Sequence, residues 1–221
     1  MPPILINDHA FADGPSFHKP TSRLLLVKQT RSLRDTISIL KVWKQFSTGG
    51  RIAETVQLGV SARLVNRNDA DAIKVAESCV IRGILRAEFK GTIEIDAFVY
   101  IGDGSLLSAA NKICVGEGTL IAHNVQIFDN DTHPTDAAQR VADFKKKLGI
   151  RPEIKIEISN APVSIGKRCW IGMNSIVMKG VSIGDDTIVA SGSVVVSDLP
   201  SNVVAAGNPA KPIKALDSQT R

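Results

Sequence analysis

Hydrophobic positions recur every six residues near the C-terminus: Ile165, Ile171, Val177, Ile183, Val189 and Val195 are all β-branched and aliphatic. A helix buries residues at a period near 3.6 and a simple strand at 2, so neither accounts for this spacing as one long element. A short strand followed by a turn, three times per coil, sends one aliphatic side chain per hexapeptide to a common axis. The spacing therefore predicts a hexapeptide β-helix. After these aliphatics come Gly166, Gly172, Gly184 and Ala190, with Met178 the exception, as suits a tight corner where a Cβ is a burden. The fifth positions, Cys169, Ser175, Val181, Thr187 and Ser193, are small or β-branched and form a second inward set, as coils stacked about 4.8 Å apart require. A generic β-sandwich would space its strands irregularly.

The same pattern runs earlier through Ile95, Ile101, Leu107 and Ile113, returns two residues out of phase at Val115, Ile121 and Ile127, and weakens upstream at Val75 and Ile81. Between Phe128 and Val163 the period breaks and the register does not continue, so an insertion interrupts the solenoid. Upstream, Leu33, Ile37, Leu40, Trp43 and Phe46 fall at helical spacing among Arg31, Arg34, Lys41 and Lys44, predicting an amphipathic helix that ends at Gly49 and Gly50. Its apolar face is expected to cap the open end of the solenoid, with contact to an anionic membrane surface as the alternative. Residues 1–30 read as an irregular arm, 136–147 as a short helical stretch in a basic insertion, and Pro200, Pro209 and Pro212 lay the tail down in extended turns. The expected fold class is all-β: an N-terminal arm and helix over 1–60, a parallel β-helix over 61–206 with a loop insertion at 129–162, and a tail over 207–221.

Composition narrows this picture. Of 221 residues, 43% are hydrophobic and only 5% aromatic, so the core is aliphatic and layered. No apolar run is long enough to span a bilayer and no basic start precedes an apolar leader, which leads to the expectation of a cytoplasmic protein. Of the three cysteines, Cys79 and Cys169 fall on inward positions and read, with Cys114, as small packing residues rather than metal ligands. The formal charge of +5 suggests anionic partners, but no basic motif with interleaved aromatics points to nucleic acid.

Polar chemistry gathers where the repeat stops, at Asp129-Asn130-Asp131-Thr132-His133-Pro134. A neutral His accepts a proton at physiological pH, so His133 is a candidate general base, with Asp129 or Asp131 to orient its ring. Asn111, on a fifth position, reads as a buried ladder Asn.

The run from Val115 to Lys214, with IAHNV, DNDTHP, VSIGKRCWIGMNSIVMKGVSIGDDTIVASGSVV and NVVAAGNPAK, resembles the hexapeptide-repeat O-acetyltransferases, including the galactoside, maltose and polysaccharide enzymes. The resemblance implies a left-handed parallel β-helix, assembled as a homotrimer with acetyl-CoA sites between neighbouring subunits and no metal. It makes His133 the catalytic base for direct transfer of acetyl to a hydroxyl of a carbohydrate acceptor, without an acyl-enzyme. It assigns the backbone N–H of Met173 to the oxyanion, Trp170 and Gly172 to the thioester end of the cleft, Ser191 and Gly192 to the pantetheine arm, Lys211 and Lys214 to the phosphates, and a catalytic role to Asn111. Lys in place of Arg at the phosphates neutralises charge but gives up bidentate geometry. The sugar enzymes' helical N-terminal segment is missing, so the acceptor does not carry over; the basic insertion favours a larger or anionic glycan. N-acetylation of an amino sugar is the close alternative, and a non-catalytic β-helix scaffold the more distant one. A zinc-dependent carbonic anhydrase of this fold needs three His per site, and His9, His18, His123 and His133 lack that spacing.

Overall fold

The computed structural model describes residues 33–151 and 153–216, and the expected irregular arm, with His9 and His18, lies outside the described residues. The six-residue spacing becomes a parallel β-solenoid with three faces. The first face stacks β1 (Arg51–Ile52), β4 (Ile73–Val75), β7 (Thr92–Ile95), β10 (Lys112–Val115), β13 (Val163–Ile165) and β16 (Ser182–Ile183). The second stacks β2 (Gln57–Leu58), β5 (Val80–Ile81), β8 (Tyr100–Ile101), β11 (Leu120–Ile121), β14 (Trp170–Ile171), β17 (Ile188–Val189), β19 (Val203–Gly207) and β20 (Ala210–Ala215). The third stacks β3 (Arg63–Asn66), β6 (Ile84–Ala87), β9 (Leu106–Ala109), β12 (Gln126–Phe128), β15 (Ile176–Val177) and β18 (Val194–Val195). The first coil thus begins at Arg51, ahead of the expected residue 61, and the tail folds back as β20, antiparallel to β19.

Both inward sets are where the spacing puts them. Ile101, Ile121, Ile171 and Val189 stack in register on the second face, all at 0% exposure. Cys79, Cys169, Ser175, Thr187 and Ser193 are buried as well. The interior hydroxyls are satisfied by the neighbouring coil, Thr187 donating to the Pro200 carbonyl at 2.6 Å and Ser175 to that of Ala190 at 3.1 Å. The corners turn by left-handed residues at the fourth position of each hexapeptide: Arg168, Asn174 and Asp186 have φ of 53°, 57° and 60°. Gly172 answers a different need, since a Cβ there would lie 2.5 Å from the Ser191 backbone nitrogen of the next coil.

The outward positions differ between faces. On the first face Lys74, Glu94, Cys114, Ser164 and Ser182 lie in register, a polar ladder. On the second, Val80, Tyr100, Leu120, Trp170, Ile188 and Val204 lie in register, an apolar ladder in which Leu120 and Trp170 are about half exposed.

Helix α1 (Leu33–Gly49) caps the first coil, packing on β1, β2 and β3 as expected. Its contact face is the expected one only in part: Phe46 is buried and Trp43 packs beside it as expected, but Ile39 and Val42 complete the face, while Ile37 and Leu40 are exposed. The helix carries two apolar stripes, and the one that docks also lets Gln45 accept from the Leu64 N–H and Gly49 accept from the Asn66 amide. Asn111 departs from the ladder reading too. The two-residue phase change lets Leu107 and Ala109 both point inward, which leaves Asn111 exposed at the corner between the third and first faces.

Candidate active site

Where the chain leaves β12 it does not turn into the first face but runs out as the insertion, returning at β13. Its neck is built from polar groups. The carboxylate of Asp129, fully buried, accepts from the N–H groups of Ala110 and Asn111 at 2.8 and 2.7 Å and from the Asn130 amide at 2.9 Å. A polar group this buried needs such a set of partners. Asn130 bridges Asn160 across the neck, and Asn111 donates to the Asn160 side chain at 2.9 Å. The turn itself is an Asx turn: the Asn130 side-chain oxygen accepts from Thr132 N–H at 2.8 Å, and Thr132 takes a φ of 60°. Asp131 is ion-paired with Lys179 at 2.9 Å, tying the loop to the next coil.

The turn delivers His133, and its ring partner is neither Asp129 nor Asp131. His133 Nδ1 lies 2.9 Å from Asp143 Oδ2. Asp143 belongs to helix α2 (Ala137–Lys147), whose N-cap Asp136 accepts from the Gln139 N–H at 2.8 Å. Its side chain is 11% exposed and also meets Lys147 Nζ at 3.4 Å. The hydrogen bond to His133, with Lys147 nearby, holds the Asp143 carboxyl below the usual carboxylate range against the cost of burial. Arg140 donates to the carbonyls of Pro134 and Thr135 at 2.9 and 2.8 Å, fixing the segment that follows the His.

Helix α2 is turned inside out for a surface helix. Ala142 and Asp143 are buried, while Val141, Phe144 and Leu148 are exposed. That inversion hid Asp143 from sequence reasoning: it stands ten residues beyond His133, where only a helix folded back over the loop brings it close. The legible signal was the Asp136 cap followed by a short helical pattern.

The remaining expected residues form a second group, on the second face and the corner between the second and third faces. Trp170 stands on the apolar ladder of the second face, with Lys214 registered on Val204 further along it. Lys211 registers with Ala206 on the same strand pair. Met173 and Gly192 share the corner, the Gly192 N–H donating to the Met173 carbonyl at 2.8 Å, and Ser191 lies between Ala190 and Gly192 in the same turn. One chain thus gathers Trp170, Gly172, Met173, Ser191, Gly192, Lys211 and Lys214 along one strip. His133 and Asn111 sit on a different corner. Cys79 and Cys169 are buried inside the coil, where burial pushes their thiols up and removes them as nucleophiles. Among the described residues no group of three His, Cys, Asp or Glu is placed to hold a metal, and no helix is long and apolar enough to cross a membrane.

Comparison with known proteins bears on the repeat and the fold. The family model described as the hexapeptide repeat of succinyl-transferase matches residues 162–197. Galactoside O-acetyltransferase of Escherichia coli is 33% identical over 109 residues, 49% of this chain and 47% of that protein. The chain is similar to the hexapeptide-repeat acetyltransferases. A protein of Saccharomyces cerevisiae provisionally named an acetyltransferase is 36% identical to this hexapeptide-repeat chain over 125 residues, 53% of it and 56% of the relative. The chain spans about half the length of these curated relatives. Among solved structures, AntD, an N-acyltransferase from Bacillus cereus in complex with dTDP and 3-hydroxybutyryl-CoA, superposes with a TM-score of 0.59 at 19% identity, covering 79% of this chain and 88% of that one. That likeness is one of fold.

Proposed function

We propose that the hexapeptide-repeat chain is a cytoplasmic acetyltransferase that moves acetyl from acetyl-CoA to a hydroxyl of a sugar or glycan, with His133 as general base. The observation that carries this reading is the pairing of His133 Nδ1 with Asp143 at 2.9 Å on a loop pinned by Asp129, Asp131 and Arg140. With Nδ1–H donating to the carboxylate, Nε2 is left to accept a proton. His133 takes the proton of the acceptor hydroxyl as its oxygen bonds to the thioester carbon. Collapse of the tetrahedral adduct then expels the CoA sulfur, which receives that proton. The negative oxygen of the adduct meets the Met173 N–H, a donor that makes no hydrogen bond within the described residues. The thioester end of the donor lies by Trp170 and Gly172, its pantetheine arm along Ser191 and Gly192, and its phosphates by Lys211 and Lys214, two exposed cations on a strand edge.

A single chain leaves His133 and Met173 on different corners, so the reading includes a homotrimer in which the His133 corner of one copy faces the Met173 corner of the next. The apolar ladder of the second face, the outward Val141 and Phe144 of α2 and Leu148 just after it support it, since a lone copy would leave them in water. The test is thiol release from acetyl-CoA over a screen of free sugars, nucleotide sugars and polysaccharide fragments. His133→Ala is expected to lower turnover by about 10²-fold or more while coenzyme A affinity and molecular mass hold. Wild-type turnover in that variant would overturn the assignment.

A further inference from the structure

Consecutive coils at the corner between the second and third faces carry Gly102-Asp103-Gly104, Ala122-His123-Asn124, Gly172-Met173-Asn174 and Ala190-Ser191-Gly192. They are joined by hydrogen bonds from Asn124 N–H to the Asp103 carbonyl at 2.9 Å, Asn174 N–H to the His123 carbonyl at 3.0 Å, and Gly192 N–H to the Met173 carbonyl at 2.8 Å. Asp103, His123, Met173 and Ser191 therefore stand in one column, about 4.8 Å apart per coil. In the reading above, acetyl-CoA takes this column from Met173 toward the C-terminal end. The acceptor must then reach the thioester from the other direction, past His123 and Asp103.

What stands there is a built polar cluster drawn from separate coils. Ser61 Oγ donates to Asp103 Oδ1, Arg82 Nε donates to Asp103 Oδ2 at 2.7 Å, and His123 Nδ1 lies 3.7 Å from the same Oδ2. The Tyr100 ring meets the His123 ring edge-on, centroids 6.4 Å apart at 77°. Although burial works the other way, the hydrogen bonds from Ser61 and Arg82 keep the Asp103 carboxyl below the usual carboxylate range, so it is an acceptor at neutral pH. Arg82 is held through Nε, which orients its remaining N–H donors. In a single copy all three charged or titratable side chains are accessible, at 45% for Arg82, 36% for Asp103 and 49% for His123, on the corner that the proposed assembly turns toward the next copy's His133. A solvated ion pair adds little to stability, so the cluster's stabilising value does not account for it.

We propose that Arg82, Asp103, His123 and Tyr100 form the acceptor subsite and bind a pyranose ring next to the hydroxyl that is acetylated. The carboxylate accepts from ring hydroxyls, Arg82 and His123 supply donors, and the Tyr100 ring, continuous with Leu120 and Trp170 on the second face, covers the C–H face of the sugar. This rests on the donor placement proposed above.

The test measures saturation-transfer NMR from the full chain to methyl β-D-glucopyranoside, methyl β-D-galactopyranoside and methyl N-acetyl-β-D-glucosaminide, beside calorimetry with coenzyme A. The expected result is transfer to at least one pyranoside, weakened about tenfold or more in Asp103→Asn and Arg82→Met, with coenzyme A affinity and molecular mass unchanged. No transfer to any of the three from the wild-type chain, transfer untouched by both substitutions, or dissociation of the assembly by them overturns the subsite. The two readings fail separately. His133→Ala with full turnover removes the base assignment, and sugar binding unchanged in both Asp103→Asn and Arg82→Met removes the subsite.

Discussion

Asp143 does for His133 what no residue of the DNDTHP segment does. Its carboxylate fixes which ring nitrogen carries the proton, and Lys147 beside it favours the ionised form. Asn at this position presents either an oxygen or an amide to Nδ1, so control of the tautomer goes with the charge. Asp143→Asn is expected to lower turnover by about 10- to 10²-fold with coenzyme A affinity unchanged, read by steady-state kinetics and calorimetry. A pH dependence follows from the same pair. The carboxyl's proton affinity is lowered in the fold, so its contribution to docking α2 is present above the ordinary carboxylate value of about 4 and is lost as the pH falls through the lowered one. The protection of the α2 amides, measured against the intrinsic exchange rate at each pH, should accordingly fall on acidification in the wild-type chain. In Asp143→Asn, exchange is expected to be faster already at neutral pH.

At the scale of elements, the solenoid and its insertion are stabilised by different forces. The coils are held by buried aliphatic stacks in which Ile171 is at 0% exposure, so Ile171→Ala should cost about 2–5 kcal/mol in chemical denaturation, read from the shift of the unfolding midpoint. The insertion is held instead by polar pins, above all the buried Asp129 carboxylate. Asp129→Ala leaves the N–H groups of Ala110 and Asn111 without their acceptor. It is expected to cost about 1–3 kcal/mol and to reduce turnover through a displaced His133. The coil period announced the strands and the break announced the insertion. The packing face of α1 is legible only at Trp43 and Phe46, because two apolar stripes share that helix and only the shape of the first coil chooses between them. Asn111 was misplaced for a related reason: a two-residue phase change hands its inward site to Ala109.

At the scale of the whole molecule, the proposed chemistry is divided between two corners of one prism, and that division is testable without knowing the acceptor's full structure. In the proposed homotrimer, co-assembly of His133→Ala chains with Met173→Pro chains creates some sites with an intact His133 and an intact Met173 N–H. Activity recovered in the mixture, and absent from either homotrimer of unchanged mass, is the expected outcome. No recovery on mixing would place both groups in a single chain's site.

The sequence by itself determined the coil, since a period of six with small corner residues has one compact solution, and through its family resemblance it pointed to Trp170, Met173, Ser191 and Gly192 as the donor strip proposed above. Tertiary structure alone decided the rest. Asp143 reaches His133 only through a helix folded back on its loop. Arg82, Asp103 and His123 meet only because coils some twenty residues apart in the chain stack at one edge. A repeat fixes the geometry within its own period, and contacts between coils or across an insertion follow from how the chain is packed.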